Sequence, residues 1–290
     1  MIALASGRQI EVFTEGTPSP SALFFHHGTP GSALTWEEWL PEVAAVGGFA
    51  IAYSRAGYGL SERHEGRTVI ANSDDVAEIV EHFGVRSFVS LGWSGGGPHC
   101  IADTTLPESL AAISIAGVAP FDAPGLDFLA GMGEENHVEF GAAIEGPAAI
   151  QAWMEKYSGG SAKVTGPELI EALGGLIGDA DKRSLTPDVA ESVASKFRYA
   201  LTKGYFGWMD DDLAFVEPWG FDITSITKPV ELWQGDEDFM VPHEHAKWLA
   251  ARIPSSQLKF VPGEGHISLG MHQRTSIIES ALGYLKGAGK

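Results

Sequence analysis

The feature that most constrains this chain is a serine at the centre of a glycine-rich turn. An apolar run at 88–91 leads directly into the segment GWSGGG (92–97), and apolar sequence compatible with a helix follows. Between a strand and a helix, the G-x-S-x-G pattern predicts a sharp turn that displays the serine hydroxyl. Such a turn crowds its neighbours and so requires glycine at positions 92 and 96. Ser94 is therefore the candidate nucleophile, and a plain glycine-rich connection is the alternative.

The rest of the chain alternates short apolar runs with helical patterns. The runs at 23–25, 49–53 and 111–116 are typical of buried parallel strands in βαβ units. A helix is expected from Ser73, a good N-cap residue, to Gly84, because its four large apolar residues form one stripe. The sequence therefore predicts an α/β fold with a mostly parallel, doubly wound sheet.

The alternation stops between residues 122 and 221, where helical sequence rich in Gly, Glu and Ala replaces it. Strand-like sequence then resumes at 230–234. Because this stretch interrupts one sheet, we expect a core domain formed by residues 1–121 and 222–290. Residues 122–221 are expected to form an inserted helical cap across the carboxyl edge of that sheet.

A serine nucleophile needs a general base, and the base needs an acid that orients it. Asp238 lies in the loop after the apolar run 230–234, and His266 lies in the loop after the run 257–261. Loops at the carboxyl ends of parallel strands gather at one edge of a sheet, so both residues are expected beside Ser94. Asp236 and Glu237 flank the proposed acid, and Asp236 stays open as an alternative.

The segment HHGTPG (26–31) follows the first buried run and can supply part of an oxyanion hole. We expect the backbone N–H groups of Thr29 and Gly95 to bind the developing oxyanion, because Pro30 has no N–H to offer. An ordinary Gly/Pro turn is the alternative for this segment alone.

Three tryptophans, Trp93, Trp153 and Trp208, are candidates for contacting a substrate, although aromatic residues in helices usually pack in the core. The acidic triplet 210–212 is interpreted as a solvated helix N-terminus before Leu213.

Other reactive residue types receive no catalytic role. His243 and His245 are expected to be exposed, and they lack the i, i+4 spacing of a helical metal site. Cys100 is expected to lie in the core. No metal site is predicted, and no cofactor is expected because triad chemistry needs neither metal nor nucleotide.

The net charge of the chain limits the classes of partner that it is expected to bind. The chain has 19 basic and 38 acidic residues and a formal charge of −19, which disfavours nucleic acid and anionic membranes. No apolar run is long enough to cross a bilayer, and the first 16 residues do not read as a secretion signal. With a single cysteine, the expected compartment is the cytoplasm. Monomer and homodimer both stay open.

Together these segments resemble the α/β-hydrolase superfamily over nearly the whole chain, and within it the serine branch with a helical cap. Four motifs carry the resemblance: the H-G-x-P loop, the turn at Ser94, the G-x-x-D-x-x-V-P segment 235–242 and the G-x-G-H segment ending at His266. A fifth, the R-x-G-x-G-x-S loop at 55–61, departs in one place, since Ser54 stands where an aspartate is common. The resemblance implies that Ser94 attacks a carbonyl, that His266 moves the proton and that Asp238 orients the imidazole.

The resemblance leaves the substrate open. A carboxylic-ester hydrolase acting on a small or medium acyl substrate is the leading interpretation. Proline iminopeptidases are similar and bind a substrate amine with acidic cap residues, a role open to Glu134, Glu135, Glu139 and the triplet 210–212. A non-catalytic receptor on the same fold is the alternative from another class, and lyase or perhydrolase chemistry also stays open.

Overall fold

A seven-stranded sheet forms the centre of the molecule in the computed structural model, which describes residues 1–287. The strands of the described residues are β1 (Ile2–Ala3), β2 (Gln9–Ile10), β3 (Val12–Glu15), β4 (Ser21–His26), β5 (Ala50–Tyr53), β6 (Ser87–Trp93), β7 (Ser109–Ile115), β8 (Val230–Gly235) and β9 (Ser256–Val261). The order in the sheet is β3-β5-β4-β6-β7-β8-β9, and β3 alone runs antiparallel to its neighbour. The mostly parallel sheet is confirmed, and β1 and β2 pair antiparallel in a separate two-stranded sheet.

Helices cover both faces of this sheet. They are α1 (Trp39–Ala45), α2 (Ala71–His82), α3 (Gly96–Ala102), α4 (Glu134–Glu145), α5 (Pro147–Ser161), α6 (Gly166–Leu173), α7 (Asp179–Ser184), α8 (Pro187–Ala200), α9 (Phe206–Val216), α10 (Glu244–Ala250), α11 (His266–His272) and α12 (Arg274–Gly287). Side chains alternate across a strand, so Phe25 of β4 packs with α1 and α12 while Phe24 packs with α2. The doubly wound arrangement follows from this alternation.

The helix expected from Ser73 begins earlier than predicted. Helix α2 starts at Ala71, and Ser73 lies inside it, buried, with its hydroxyl donating to Asp103 at 3.0 Å. The buried carboxylate of Asp103 thus accepts a hydrogen bond from the hydroxyl group that was predicted to cap the helix. The apolar stripe is as expected, with Val76 and Ile79 fully buried against the sheet.

Helices α4 to α9 all lie between β7 and β8. They pack largely on one another through two apolar clusters: one includes Met154 of α5 and Met209 of α9, and the other Leu169 of α6 and Ala194 of α8. The second cluster also takes in Ile267 of α11, so these helices contact the end of the sheet where His266 lies. None of the helices within residues 1–287 is both long and apolar enough to cross a membrane.

The acidic triplet is not a solvated helix start. Helix α9 begins at Phe206, which places Asp210, Asp211 and Asp212 in its middle, with only 2%, 0% and 1% of their surfaces exposed. The prediction failed because each carboxylate faces the protein interior, where partners from the core meet two of them.

Candidate active site

Ser94 sits on a strained turn between β6 and α3. Its φ of 56° lies in the left-handed region, which is costly for a residue with a side chain and is characteristic of functional sites. A Cβ at position 92 would lie 2.1 Å from the carbonyl oxygen of Gly96, and one at position 96 would lie 2.3 Å from that of His26. The crowding that requires glycine at both positions is therefore confirmed.

Asp238 meets His266 at the same edge of the sheet. Its Oδ2 lies 2.9 Å from Nδ1 of His266 and also accepts from the Gln234 amide at 3.0 Å. Its Oδ1 accepts from the backbone N–H groups of Met240 at 3.0 Å and Val241 at 2.8 Å. Four donors therefore hold this buried carboxylate in one orientation beside the imidazole.

The two other acidic residues of this loop are occupied elsewhere. Asp236 accepts from the N–H of Gly263 at 2.6 Å, and Glu237 accepts from the N–H of Ala180, in α7, at 2.9 Å. The structure thus brings Asp238, and neither neighbour, to His266. Asp236 and Glu237 brace the loop that carries it.

The surroundings of His266 favour its protonated form. Burial alone lowers its pKa, but the charge and hydrogen bond of Asp238 and the charge of Asp181 outweigh burial, so the pKa is raised. Ser94 and His266 line one cavity, and no hydrogen bond joins them in the part of the chain that the structure describes. In enzymes without substrate such bonds are often long and shorten only when substrate binds.

The backbone around Thr29 and Gly95 forms a polar recess next to Ser94. A Cβ at position 95 would lie 2.4 Å from the Thr29 hydroxyl, so the two residues are in close contact. Within residues 1–287, neither the N–H of Thr29 nor that of Gly95 donates to a protein acceptor. Two unbonded donors beside a candidate nucleophile are suited to a developing oxyanion.

His27 and Arg55 hold the loop that carries Thr29. The backbone N–H of Arg55 donates to Nε2 of His27 at 2.9 Å, so that nitrogen is an acceptor and Nδ1 donates to the Gly28 carbonyl at 2.7 Å. Burial and the Arg55 charge lower the pKa of His27 well below its ordinary value, which keeps this tautomer neutral. The Arg55 guanidinium also donates to the carbonyls of His27 and Gly28.

Asp211 joins this loop to helix α9. Its carboxylate accepts from the Thr29 hydroxyl at 2.7 Å, from Tyr58 at 2.8 Å, and from Arg55 and Arg67 at 2.7 and 2.6 Å. Burial alone would raise the pKa of Asp211, but the two guanidinium groups hold it well below the ordinary value. Helix α9, which lies between β7 and β8 in the sequence, thereby holds the loop that follows β4.

Asp181 does the same for the helix that carries His266. Its carboxylate accepts from the N–H groups of His266, Ile267 and Ser268 at 2.9 to 3.0 Å, which caps the start of α11. Residue 265 must be glycine, because a Cβ there would lie 2.5 Å from the Asp181 carboxyl carbon. No sequence feature indicates this contact, since Asp181 lies in a short stretch of mixed acidic and basic residues, DADKRS.

Two cavities meet at Ser94. The smaller, of about 380 Å³, is lined by His266 and Trp93, and the larger, of about 750 Å³, by Gly95, Trp153 and Trp208. All three tryptophans named from the sequence thus face a cavity. Six residues line both cavities: Thr29, Pro30, Ser94, Leu173, Phe197 and Met240.

The larger cavity contains a pair of neighbouring carboxyl groups, Glu139 and Asp212. Glu139 accepts from the Trp208 indole at 2.7 Å, whereas neither oxygen of Asp212 accepts from an N–H or hydroxyl of residues 1–287. Burial raises the pKa of Glu139 to about 7, and burial together with the Glu139 charge raises that of Asp212 well above its ordinary value. The pair therefore shares a proton near neutral pH.

One of the two histidines that were expected at the surface, His245, is buried, whereas His243 is partly exposed. His245 is 0% exposed, accepts from the N–H of Ala119 at 3.1 Å and lies 3.0 Å from the Phe128 carbonyl. These backbone partners explain the burial that the sequence did not indicate. Cys100 lies in the core as expected, and residues 1–287 contain no cluster of three or more His, Cys, Asp or Glu suited to a metal ion.

Comparison with known proteins fits this architecture. A family model described as alpha/beta hydrolase fold matches residues 21–272. The chain therefore belongs to the α/β-hydrolase family.

The individual proteins that resemble this chain match it over short segments or at low sequence identity. The chain is 35% identical over 83 residues to a bifunctional esterase/perhydrolase of Acinetobacter calcoaceticus, an alignment that covers 28% of this chain and 30% of that protein. It is 34% identical over 88 residues to a non-heme haloperoxidase of Rhodococcus erythropolis, covering 30% and 32%. A thermophilic esterase from Thermogutta terrifontis superposes with a TM-score of 0.70 at 21% identity, over 98% of this chain and 96% of that one. At that identity, the likeness shows the fold.

Proposed function

We propose that the protein is a serine hydrolase that cleaves a carboxylic ester of a small or medium acyl group through an acyl-enzyme. The observation that carries the proposal is the contact of Asp238 with His266, 2.9 Å long, at a cavity that also exposes Ser94 on its strained turn. The names of the esterase relatives support an ester as the substrate. In this proposal helices α4 to α9, within residues 122–221, act as a cap over the reaction site.

Each residue has one task in the reaction. His266 takes the proton of Ser94 as the hydroxyl attacks the ester carbonyl, and the N–H groups of Thr29 and Gly95 bind the oxyanion that forms. Asp238 keeps Nδ1 of His266 protonated, which leaves Nε2 free to act as the base. The raised pKa of His266 also favours the imidazolium that exists between the two proton transfers.

Acylation ends when His266 gives its proton to the departing alcohol, and the acyl group stays on Ser94. Deacylation repeats the same steps with water as the nucleophile. A water molecule then loses a proton to His266 and attacks the acyl carbon, and the acid leaves as Ser94 regains its proton.

Hydrogen peroxide in place of that water would give a peracid from the same acyl-enzyme. The perhydrolase and haloperoxidase names of the two curated relatives favour this second activity. It needs no further residue, because peroxide only replaces water as the attacking nucleophile.

The decisive experiment is labelling with a reporter-tagged fluorophosphonate, read by intact mass, on the wild type and Ser94→Ala. The wild type should gain one adduct and the variant none, while both melt at similar temperatures. Ser94→Ala should also lose turnover of p-nitrophenyl esters by a factor of about 10⁴ or more. A folded wild type that takes no label would contradict the proposal and favour a receptor.

A substrate panel separates the remaining alternatives. Esters with and without hydrogen peroxide test acyl transfer to water against peracid formation, with the products identified by mass. N-terminal prolyl amides, free and acetylated, test the aminopeptidase alternative. Hydrolysis of only the free prolyl amides would overturn the ester assignment.

A further inference from the structure

Ser94 lies where the two cavities meet, but the groups that surround it are divided between them. His266 lines the smaller cavity and not the larger, whereas Gly95 lines the larger and not the smaller. Thr29 borders both. The proton carrier and one oxyanion donor therefore approach the serine from different sides.

We propose that the acyl group of the substrate occupies the larger cavity, where its far end donates a hydrogen bond to the Glu139–Asp212 pair, and that the alcohol leaves through the smaller cavity. The assignment rests on the proposed function, since it requires an acyl-enzyme at Ser94. It names the substrate class as esters whose acyl chain ends in a hydrogen-bond donor.

The position of His266 decides which side takes the alcohol. In the tetrahedral intermediate the general acid must reach the leaving oxygen, so the alcohol lies on the imidazole side. That side is the smaller cavity, whose wall next to the imidazole is the ring of Trp93, 6.1 Å from His266 between centroids. The rest of its lining includes the apolar side chains of Val189 and Val193 from α8.

The acyl chain then extends past Gly95 into the larger cavity. A Cβ at position 95 would lie 2.9 Å from the ring of Phe215, so helix α9 closes on the oxyanion recess at that residue. Asp212 precedes Phe215 by three positions and therefore lies on the same face of the helix, about 5 Å further along it. The carboxyl pair thus lies in the same cavity as Ser94, near the face of α9 that reaches Gly95.

The pair has unused capacity to accept hydrogen bonds. Asp212 is 1% exposed, and its two oxygens accept from no N–H or hydroxyl within residues 1–287. The proton shared with Glu139 can occupy one oxygen of Asp212, and the other oxygen stays without a donor from the described residues. Because buried polar atoms without partners are rare and costly, this oxygen points to a donor that arrives with the ligand. A carboxyl pair that shares one proton can accept a hydrogen bond from a hydroxyl group. It attracts an ammonium group more strongly once that shared proton is lost.

The acyl site and the alcohol site can be tested separately, because the alcohol leaves before deacylation begins. Once the alcohol has left, a binding-pocket side chain that contacted only the alcohol no longer contacts the substrate, whereas one that contacts the acyl group still does. Val138 of α4 lines the larger cavity and Val193 of α8 the smaller, so Val138→Phe and Val193→Phe make the same change on opposite sides. The wild type and both variants would be acylated with p-nitrophenyl butyrate, and loss of the acyl-enzyme would be followed by intact mass.

Val138→Phe should change the deacylation rate by about tenfold. Val193→Phe should leave deacylation within twofold while lowering acylation by esters of bulky alcohols relative to the ethyl ester. The reverse pattern, or equal effects of both variants, would overturn the assignment. Failure of the folded wild type to form any acyl-enzyme would instead overturn the proposed function itself.

The far end of the acyl cavity is tested with p-nitrophenyl esters of six-carbon chains ending in a methyl, hydroxyl or ammonium group. A donor-terminated ester should exceed the methyl-terminated one in kcat/KM by about tenfold. Asp212→Leu should abolish that preference. Asp212→Asn, which keeps one acceptor oxygen without the charge, should keep a preference for hydroxyl and lose one for ammonium. A wild type that favours the methyl-terminated ester would contradict the role of the pair.

Discussion

Asp211 and Asp212 are consecutive residues of helix α9, both buried, and their surroundings are opposite. Asp211 is met by two guanidinium groups and two hydroxyls, whereas Asp212 is met by another carboxyl group. The pKa of Asp211 is accordingly lowered and that of Asp212 raised. Adjacent residues on a helix point about 100° apart, so one faces the loop that carries Thr29 and the other the larger cavity.

The difference teaches that burial does not set the charge of an acidic residue by itself. Desolvation pushes both pKa values upward, and the cations contributed by the core reverse that push at one site only. Asp211 is thus a structural anion, while Asp212 faces a second carboxyl group and, within residues 1–287, pairs with no cation. Each of the following substitutions alters one side of this comparison.

The largest effect is expected from Asp211→Asn. The substitution leaves Arg55 and Arg67 buried without a counter-charge, and it should lower the free energy of unfolding by about 3–5 kcal/mol in urea titrations at pH 7. Because the folded-state pKa is depressed, the contribution is present above the unfolded value of about 3.9 and is lost as pH falls through the folded value. A gap between wild type and variant that persisted unchanged below that range would contradict the ion-pair explanation.

Asp181→Asn extends the comparison to a carboxylate that faces an imidazole. The side chain can still accept from the backbone of α11, but the negative charge that raises the pKa of His266 is gone. The acidic limb of kcat/KM should therefore move to lower pH, while kcat at its plateau falls by less than about tenfold.

The matched control for that substitution is Asp179→Asn, an exposed residue two positions earlier in the same helix. It should leave the acidic limb in place. An equal displacement in both variants would mean that general surface charge, and not contact with α11, sets the pKa of His266.

Asp212→Asn should act in the direction opposite to Asp211→Asn and stabilise the protein. Since the folded-state pKa is raised, the wild-type residue costs stability as pH rises above the unfolded value of about 3.9. The amide can donate to Glu139, so a gain of about 1 kcal/mol is expected at pH 8, growing from acid to alkaline pH. Thermal unfolding across that range measures it, and a destabilised variant at pH 8 would count against the shared proton.

The smallest effect is expected from Asp210→Asn, the third member of the triplet. Its partner Arg63, at 2.8 Å, is partly exposed, and the amide oxygen of Asn can still accept from this guanidinium, so a loss of about 1 kcal/mol is expected. Stability should change by no more than that, and kcat/KM should stay at the wild-type level. A loss comparable to that of Asp211→Asn would show that the whole triplet, and not one residue, anchors the helix.

The parts of the molecule that the sequence predicts are those governed by local rules. The turn at Ser94 follows from steric demands on its neighbours, and the meeting of Asp238 with His266 follows from the convergence of loops at one edge of a parallel sheet. Alternating apolar runs likewise specify the sheet. Each of these can be predicted from short motifs at the ends of strands together with the general geometry of a parallel sheet.

The contacts of helices α4 to α9 with the core depend on residues far apart in sequence. Asp211 meets Arg55 across 156 positions, and Asp181 meets the N–H of Ile267 across 86. One signal was available for α9: the triplet stands inside an apolar helical stretch, GWMDDDLAFV, which favours burial over solvation. Nothing comparable marks Asp181, whose role depends on where helix α7 comes to rest.

Asp211 binds Thr29 and Asp181 binds the backbone of His266, and both aspartates lie in the segment between β7 and β8. These contacts affect whether that segment can be exchanged between related proteins. Exchange of the segment between β7 and β8 with that of a relative would transplant a new substrate cavity, but it would also remove two carboxylates on which the core depends. A chimera that carries both aspartates at equivalent places inherits a working scaffold along with its new specificity. One that lacks them inherits unpaired arginines and an uncapped histidine helix.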